Sequence, residues 1–152
     1  MARAYIGIGS NLGDRQAHVT MARQSLANLP RTRLVACSRS QETEPMGPPG
    51  QGRYLNAAAA IDTQLGPAEL LQHLRAIERA AGRERHTPWA ARTLDLDLLL
   101  YEDRVIDTPE LTVPHPHMHE RRFVLEPLSE IAPDAVHPQL NQTVRAMLNA
   151  LA

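Results

Sequence analysis

Two aspartates spaced two residues apart are the residues of this sequence best suited to chemistry. Asp95 and Asp97 alternate with leucines between Leu94 and Leu100, a pattern typical of a β-strand. Because side chains alternate across a strand, both carboxylates are predicted on one face, with Cβ atoms roughly 6–7 Å apart, and the even-numbered leucines on the other. The like charges repel each other, and bound Mg²⁺ or Mn²⁺ would neutralise them. The alternative is a solvated strand face whose acids keep the protein in solution.

Basic residues and histidines flank the aspartate pair on both sides. Guanidinium groups bind phosphate oxygens through paired hydrogen bonds, and a divalent cation bridges phosphoryl oxygens, so the combination predicts a polyphosphate site. The first cluster taken alone is typical of a solvated loop. The clusters are Arg83, Arg85, His86 and Arg92 before the strand, with Trp89 among them, and His115, His117, His119, Arg121 and Arg122 after it.

The three histidines of the second cluster leave a zinc site open. In an extended chain His115, His117 and His119 would share one face and could bind zinc. Two prolines interrupt regular strand pairing in this segment, and no cysteine lies nearby. Cys37, the one cysteine of the chain, lies in a predicted strand with no neighbouring base in sequence. We therefore disfavour it as a nucleophile.

Residues suited to a flat heterocyclic ligand occur earlier in the chain. Tyr54 and Asn56 share a face of a predicted strand and offer an aromatic ring beside an amide. An interior ring beside a strand-edge turn residue explains the pair equally well. Gly7 and Gly9 allow the backbone to approach a flat or anionic group closely, and a tight turn is the equal alternative. A dinucleotide-binding fingerprint is excluded, because Leu12 occupies the third required glycine position.

The elements that position these residues predict an α+β fold. Hydrophobic periodicity gives the order strand, helix, strand, strand, helix, strand, followed by further segments. This order favours a ferredoxin-like α/β sandwich, with helices packed on one face of an antiparallel sheet, in a single domain over residues 1–152. Asp14 is the expected N-cap of the first helix, and Gly82 ends the second. The predicted segments are strands 4–9, 33–43, 54–64 and 94–101, helices 15–29 and 67–81, loops 44–53 and 83–92, an extended piece at 105–106 and a last helix over 144–151.

Composition limits the class of protein. The chain has 152 residues, of which 43% are hydrophobic and 22% charged, which is ordinary for a globular protein. We expect a cytoplasmic protein without a membrane segment, because no apolar run approaches the ~20 residues of a membrane span and a single cysteine suits a reducing compartment. A net charge of −1 disfavours nucleic-acid binding. All 16 basic residues are arginine, which excludes chemistry that needs lysine.

Five segments carry a resemblance to a known family. They are AYIGIGSNLGDR (4–15), YLNAA (54–58), RTLDLDLLLY (92–101), LTVPHPHM (111–118) and FVLEPLSEIAP (123–133). Together they resemble the 6-hydroxymethyl-7,8-dihydropterin pyrophosphokinases of folate biosynthesis, and RTLDLDLLL followed by LTVPHP is the most specific part. The resemblance implies a ferredoxin-like fold and transfer of pyrophosphate from ATP to the hydroxymethyl oxygen of the pterin, with release of AMP. We expect a monomer whose partners are these two small molecules.

The resemblance also implies roles for individual residues. Asp95 and Asp97 would hold two Mg²⁺ ions and, with Arg83 and Arg92, would form the catalytic group. Glu110 stands where one form of the family has arginine, which weakens a nucleotide contact. The implied ATP-binding residues are Glu78, Arg83, Arg85, Arg92, Leu98, Thr112, His115 and Arg121. The implied pterin-binding residues are Thr43, Tyr54, Asn56, Trp89 and Phe123, with Tyr54 and Phe123 on either side of the ring and Trp89 in a loop that covers the site.

Two other classes of function stay open on the residues alone. One is a different Mg²⁺-dependent nucleotide enzyme, either a nucleotidyltransferase or a nuclease, whose product would be pyrophosphate or cleaved nucleic acid instead of AMP. The other is a non-catalytic ligand-binding module of ferredoxin-like fold. Paired aspartates and clustered arginines disfavour the module, because ligand binding alone needs no metal.

Overall fold

A five-stranded antiparallel sheet forms the centre of the protein. The computed structural model describes residues 1–11, 14–43, 54–82 and 94–151. Along the sheet the order is β2–β4–β1–β5, and β3 pairs with the beginning of β4 beside β2. This order, with a helix after β1 and another after β4, confirms the predicted ferredoxin-like arrangement. The strands are β1 (Ala2–Ser10), β2 (Thr32–Cys37), β3 (Gln41–Thr43), β4 (Tyr54–Thr63) and β5 (Asp95–Tyr101).

Two helices, α1 (Arg15–Ala27) and α2 (Pro67–Ala80), cover one face of the sheet. The Asp14 side chain accepts a hydrogen bond from the Ala17 N–H at 3.1 Å and caps α1, as predicted. Proline suits the first position of α2 because that N–H has no helical partner. Gly82, with φ of +86°, adopts the left-handed conformation just past the end of α2. The core between these helices and the sheet includes Ile6, Ile8, Val19, Leu26, Ile61, Leu70, Leu74, Leu96 and Leu98.

Two further helices, α3 (Arg122–Ile131) and α4 (Val144–Asn149), cover the opposite face. The prediction that all helices lie on one face is therefore wrong, although the α+β sandwich itself is confirmed. The predicted elements do not include α3, which contains Pro127, a residue type that normally breaks a helix. The second core joins Ala58, Leu99, Leu100, Met118, Leu125, Leu128, Val144 and Met147.

The segment predicted as one strand over 33–43 is two strands interrupted at Ser38. The Ser38 N–H donates to the Ala58 carbonyl at 2.9 Å, and its Oγ accepts from the Ala58 N–H at 2.8 Å. The Arg23 side chain of α1 also donates to the Ser38 carbonyl at 2.8 Å. Side-chain hydrogen bonds of this kind compete with the regular ladder and end β2.

A bulge in β5 changes the direction of its last leucines. Ile6 of β1 pairs with Leu98, whereas the preceding Tyr5 pairs with Leu100, so Leu99 is an extra residue in β5. Leu98 packs under α1 and α2, but Leu100 packs in the core under α3 and α4. The prediction that all four even-numbered leucines share a face is therefore wrong at Leu100.

Short elements complete the described chain. The hairpin strands β6 (Ile106–Asp107) and β7 (Thr112–Val113) follow β5, and β8 (Val136–His137) pairs with β9 (Gln142–Thr143). A 3₁₀ helix, Met118–Glu120, precedes α3. Across the four described ranges, every helix falls short of the length and apolar character that a bilayer span requires.

Candidate active site

The predicted metal-binding aspartates occupy alternate positions at the beginning of β5. Asp95 pairs with Gly9 of β1, and Asp97 pairs with Gly7. Both aspartates are partly exposed, whereas Leu96 between them is fully buried on the opposite face, in the core beneath α1 and α2. The two carboxylates therefore lie on the same face, the one that carries α3. Glycine at both paired positions leaves no β1 side chain beside either carboxylate.

The residues predicted to bind a flat ligand lie on the same face, on the other side of β1. Asn56 pairs with Gly9, and Tyr54 pairs with Thr43 of β3. A β-carbon at Gly9 would lie 3.2 Å from Asn56 Oδ1 and 3.6 Å from Tyr54 Cδ2. Because neighbouring strands lie about 4.8 Å apart, the Cα atoms of Asp95 and Asn56 are separated by about 10 Å across Gly9. We call the part of this face over Gly9, between Asp95 and Asn56, the glycine trough.

A cavity of about 170 Å³ opens at the outer edge of β5 and continues the site from Asp97. We call it the β5–α2 cavity. Four residues predicted to bind ATP or metal meet here, because the turn into β7 returns the chain to the edge of β5. The predicted residues in its lining are Asp97, Leu98, Thr112 and His115, and the others are Leu71, Arg75, Glu110, Leu111 and Pro116.

His115 is held in one orientation at the wall of this cavity. The backbone N–H of His115 donates to the Leu99 carbonyl at 3.0 Å, and its ring Nδ1 accepts from the backbone N–H of His117 at 3.3 Å. This assigns the proton of the neutral ring to Nε2. Burial lowers the pKa of His115 to about 4, and the positive charge of Arg121 and the His117 ring contribute. At neutral pH His115 is therefore an uncharged hydrogen-bond donor.

Arg121 and Phe123 meet at the beginning of α3. The guanidinium carbon of Arg121 lies 5.7 Å from the centroid of the Phe123 ring, which is within range of a cation–π interaction. Helix α3 packs against β4, β3 and β1, on the face that carries the glycine trough. That the Phe123 ring packs against a pterin, opposite Tyr54, stays a prediction.

The position of Glu78 does not fit its predicted role in binding the nucleotide. It is buried in α2, and its Oε2 accepts from the Leu96 N–H at 2.7 Å. Its Oε1 lies 2.8 Å from Nη1 of Arg75. Arg75, which does line the cavity, was missed in the sequence. The available signal was the opposite charge three residues from Glu78 on a predicted helix.

Several predicted residues lie outside the described part of the chain. They are Arg83, Arg85, Trp89 and Arg92, so their roles as phosphate ligands and as part of a covering loop stay predictions. The predicted loops 44–53 and 83–92 fall in the same undescribed ranges.

The described residues suit Mg²⁺ better than zinc. Within them, no group of three or more histidine, cysteine, aspartate or glutamate side chains could hold a metal alone. Two carboxylates fit Mg²⁺, which commonly takes its other ligands from water and substrate phosphates. The alternative zinc site fails because the chain is helical over Met118–Glu120, and the His119 ring lies 6.2 Å from that of His137. Burial raises the pKa of the Cys37 thiol, against a nucleophilic role.

Comparison with known proteins decides the family. Residues 5–133 match the family model described as 7,8-dihydro-6-hydroxymethylpterin-pyrophosphokinase (HPPK). The chain belongs to the HPPK family. Membership confirms the predicted function, transfer of pyrophosphate from ATP to the hydroxymethyl pterin in folate biosynthesis, and the predicted enzyme class. It removes support from the nucleotidyltransferase, nuclease and non-catalytic alternatives.

Relatives from two bacteria agree with this assignment. The chain is 47% identical over 132 residues to a protein of Pseudomonas aeruginosa, covering 87% of this chain and 82% of that protein. It is 46% identical over 151 residues to one of Methylorubrum extorquens, covering 99% and 94%. Both are named 2-amino-4-hydroxy-6-hydroxymethyldihydropteridine pyrophosphokinase.

Solved structures of HPPK-DHPS proteins support the fold. One Plasmodium falciparum HPPK-DHPS structure matches with a TM-score of 0.78 at 14% identity, covering 98% of this chain and 45% of that chain. This chain therefore spans less than half the length of those two-part proteins. At such low identity the match shows the HPPK fold alone.

Proposed function

We propose that the glycine trough binds the pterin and that the β5–α2 cavity binds ATP, with Asp97 at their junction. One observation carries the proposal: antiparallel pairing through Gly9 sets Asp95 and Asn56 on one face, about 10 Å apart. Asp97 also lines the cavity together with Thr112 and His115. An acceptor in the trough and a phosphate donor in the cavity would therefore meet beside the two carboxylates.

In this proposal the pterin is bound by side chains from β3, β4 and α3. The Tyr54 ring and the Phe123 ring would lie on either side of the heterocycle, because flat aromatic systems favour stacked contact. Thr43 and Asn56 would read its polar edge, since an amide offers a donor and an acceptor. Trp89 would belong to the segment that covers the bound ligands and excludes water.

The phosphates would be bound by charge and hydrogen bonds from several segments. Asp95 and Asp97 would hold two Mg²⁺ ions, which when bound neutralise charge on phosphate oxygens. The Nε2–H of His115 would donate to a phosphate oxygen without adding charge. The cationic phosphate ligands would be Arg83, Arg85, Arg92 and Arg121. Leu98 and Thr112, which line the cavity, would lie near the adenosine.

The chemistry needs alignment more than proton removal. The hydroxymethyl oxygen would form a bond to the β-phosphorus while the bond from that phosphorus to the α,β-bridging oxygen breaks. AMP leaves, and the hydroxyl proton is released to water. Phosphoryl-type transfer depends mainly on position and charge neutralisation, so we assign no general base. The residues that hold the two substrates in line therefore carry the reaction.

Three wider properties belong to the same proposal. We propose that residues 1–152 form one domain, because helices on both faces share a single sheet. We propose a monomer; among the described residues, the exposed large hydrophobic side chains are Met1, Val35, Val105, Val136 and Leu140. We place the enzyme in the cytoplasm, where ATP is available. It would act on small molecules and would not bind nucleic acid.

The product of the reaction tests this function. The chain is incubated with ATP, Mg²⁺ and 6-hydroxymethyl-7,8-dihydropterin, and the nucleotides are separated by chromatography. We expect one AMP for each pterin converted, no AMP without the pterin, and no turnover when a chelator removes the metal. Release of ADP, or of AMP without the pterin, would contradict the proposal.

A further inference from the structure

The outer edge of β5 carries a second set of contacts that the proposed mechanism does not use. Among the described strands β5 pairs with β1 alone, so it is an edge strand. Alternate residues of an edge strand direct their N–H and C=O away from the sheet. At Leu96, between the two aspartates, both groups are bound by side chains of α2. The N–H donates to Glu78 Oε2 at 2.7 Å, and the carbonyl accepts from Arg75 Nη1 at 2.9 Å.

Arg75 and Glu78 form one unit, which we call the α2 clamp. Glu78 is 1% exposed, and its second carboxylate oxygen lies 2.8 Å from Arg75 Nη1. A buried carboxylate is costly without charged and hydrogen-bonding partners. Here those partners include the cation and the main chain of the metal-binding strand. The clamp therefore ties α2 to β5 at Leu96.

We infer that the α2 clamp positions Asp95 and Asp97 for metal binding; the inference rests on the proposed function. The two aspartates flank the clamped residue, so a shift or rotation of Leu96 changes the separation and direction of both carboxylates. Groups that orient metal ligands without touching the metal are commonly worth 10–100-fold in metal affinity or activity. Glu78 and Arg75 are thus positioning residues.

The clamp also reaches the proposed nucleotide site. Arg75 lines the β5–α2 cavity together with Asp97, whereas Glu78 is not part of the lining. A nucleotide in the cavity would contact the same guanidinium group that holds the Leu96 carbonyl. Variants of Glu78 therefore test metal positioning alone, and variants of Arg75 test positioning together with nucleotide contact.

The experiment measures metal binding directly instead of activity. Mn²⁺ is titrated by electron paramagnetic resonance into the whole protein saturated with a nonhydrolysable ATP analogue, for wild type and Glu78→Gln. We expect Mn²⁺ affinity to fall about tenfold or more, the Leu96 amide to exchange faster by NMR, and pterin affinity to stay unchanged. The matched control is Glu69→Gln on the same helix, whose exposed ion pair with Arg31 at 3.2 Å is remote from β5.

Two results with a folded Glu78→Gln protein would overturn the inference. Wild-type Mn²⁺ affinity in a folded Glu78→Gln protein would show that the clamp does not position the ligands. Weaker binding of the metal-free analogue would instead show that Glu78 contacts the nucleotide. If Glu78→Gln does not fold, Arg75→Lys keeps the charge and is judged by the same Mn²⁺ affinity, with Arg75→Met expected to lose more. If wild type neither releases AMP nor binds Mn²⁺ with nucleotide, the proposed function fails as well.

Discussion

On one face of the sheet, Ile6 and Ile8 of β1 are almost completely buried against α1 and α2. On the other face, the alternate residues Gly7 and Gly9 of the same strand place no side chain beside Asp97 and Asn56. Strand alternation separates the two sets within four residues. A face lined mainly by aliphatic side chains stabilises the fold, and a face that carries carboxylate, amide and aromatic side chains can bind ligands. The two faces therefore respond differently to substitution.

The strongest test of the open face is Asp97→Ala. Turnover should fall by about 10²-fold or more, because the variant removes a group that organises charge at the reacting phosphates. Thermal stability should stay close to wild type, since Asp97 is partly exposed. Steady-state assays with Mg²⁺ and melting curves measure the two effects. The control is Asp103→Ala in an exposed turn. Retention of most activity by Asp97→Ala would exclude it as a metal ligand.

The strongest test of the closed face is Leu74→Ala. Leu74 of α2 is fully buried, so the cavity left behind should lower the free energy of unfolding by about 2–5 kcal/mol. Activity per folded molecule should be unchanged at low temperature. Denaturant unfolding measures the loss. A variant that kept its stability but lost activity would contradict the division of roles between the faces.

Gly9→Ala tests β1, the strand that lies between the aspartates of β5 and the pterin-binding residues of β4. The added methyl group would lie 3.2 Å from Asn56 Oδ1, and crowding of about 1.4 kcal/mol corresponds to about a tenfold loss of pterin affinity. The control is Gly66→Ala, where an added β-carbon meets nothing within 4 Å. Calorimetric titration with the pterin distinguishes the two variants. Equal pterin affinity in both would show that the glycine trough does not hold the ligand.

The last effect, on the pH dependence of stability, concerns His115 at the edge of the open face. Burial lowers the pKa of the His115 ring from 6.5 to about 4. Between these pH values the ring is therefore protonated in the unfolded chain and neutral in the folded protein. This contribution to stability is complete above pH 6.5 and is lost as the pH falls toward 4. NMR titration of the ring should give a midpoint near 4, and His115→Gln should flatten the pH dependence of unfolding in this window. A midpoint near 6.5 would contradict the partly buried placement of the His115 ring.

The sequence predicts some of this site and not the rest. The period of two along β4 and β5 is sufficient to place Tyr54 with Asn56, and Asp95 with Asp97, on single faces. The pairing that sets Gly9 between them joins distant strands, and local pattern does not encode register. The clamp from α2 to Leu96 is a tertiary contact of the same kind.

The errors in the fold have equally local causes. Helix α3 contains Pro127, which normally breaks a helix. The packing of Leu125 and Leu128 in the second core stabilises the helix in spite of this proline. The direction of Leu100 was wrong because one extra residue in β5 reverses alternation beyond it. The break in the strand predicted over 33–43 depends on a hydrogen bond from Arg23 of α1 to the Ser38 carbonyl.

Paramagnetic broadening tests most directly whether the acidic and aromatic sides of the open face bind their ligands together. The pterin is bound to the protein with a nonhydrolysable ATP analogue, and Mn²⁺ replaces Mg²⁺. We predict strong broadening of the hydroxymethyl protons of the bound pterin, and its loss in Asp97→Ala. Sharp hydroxymethyl signals with the pterin, the analogue and Mn²⁺ all bound would contradict the account.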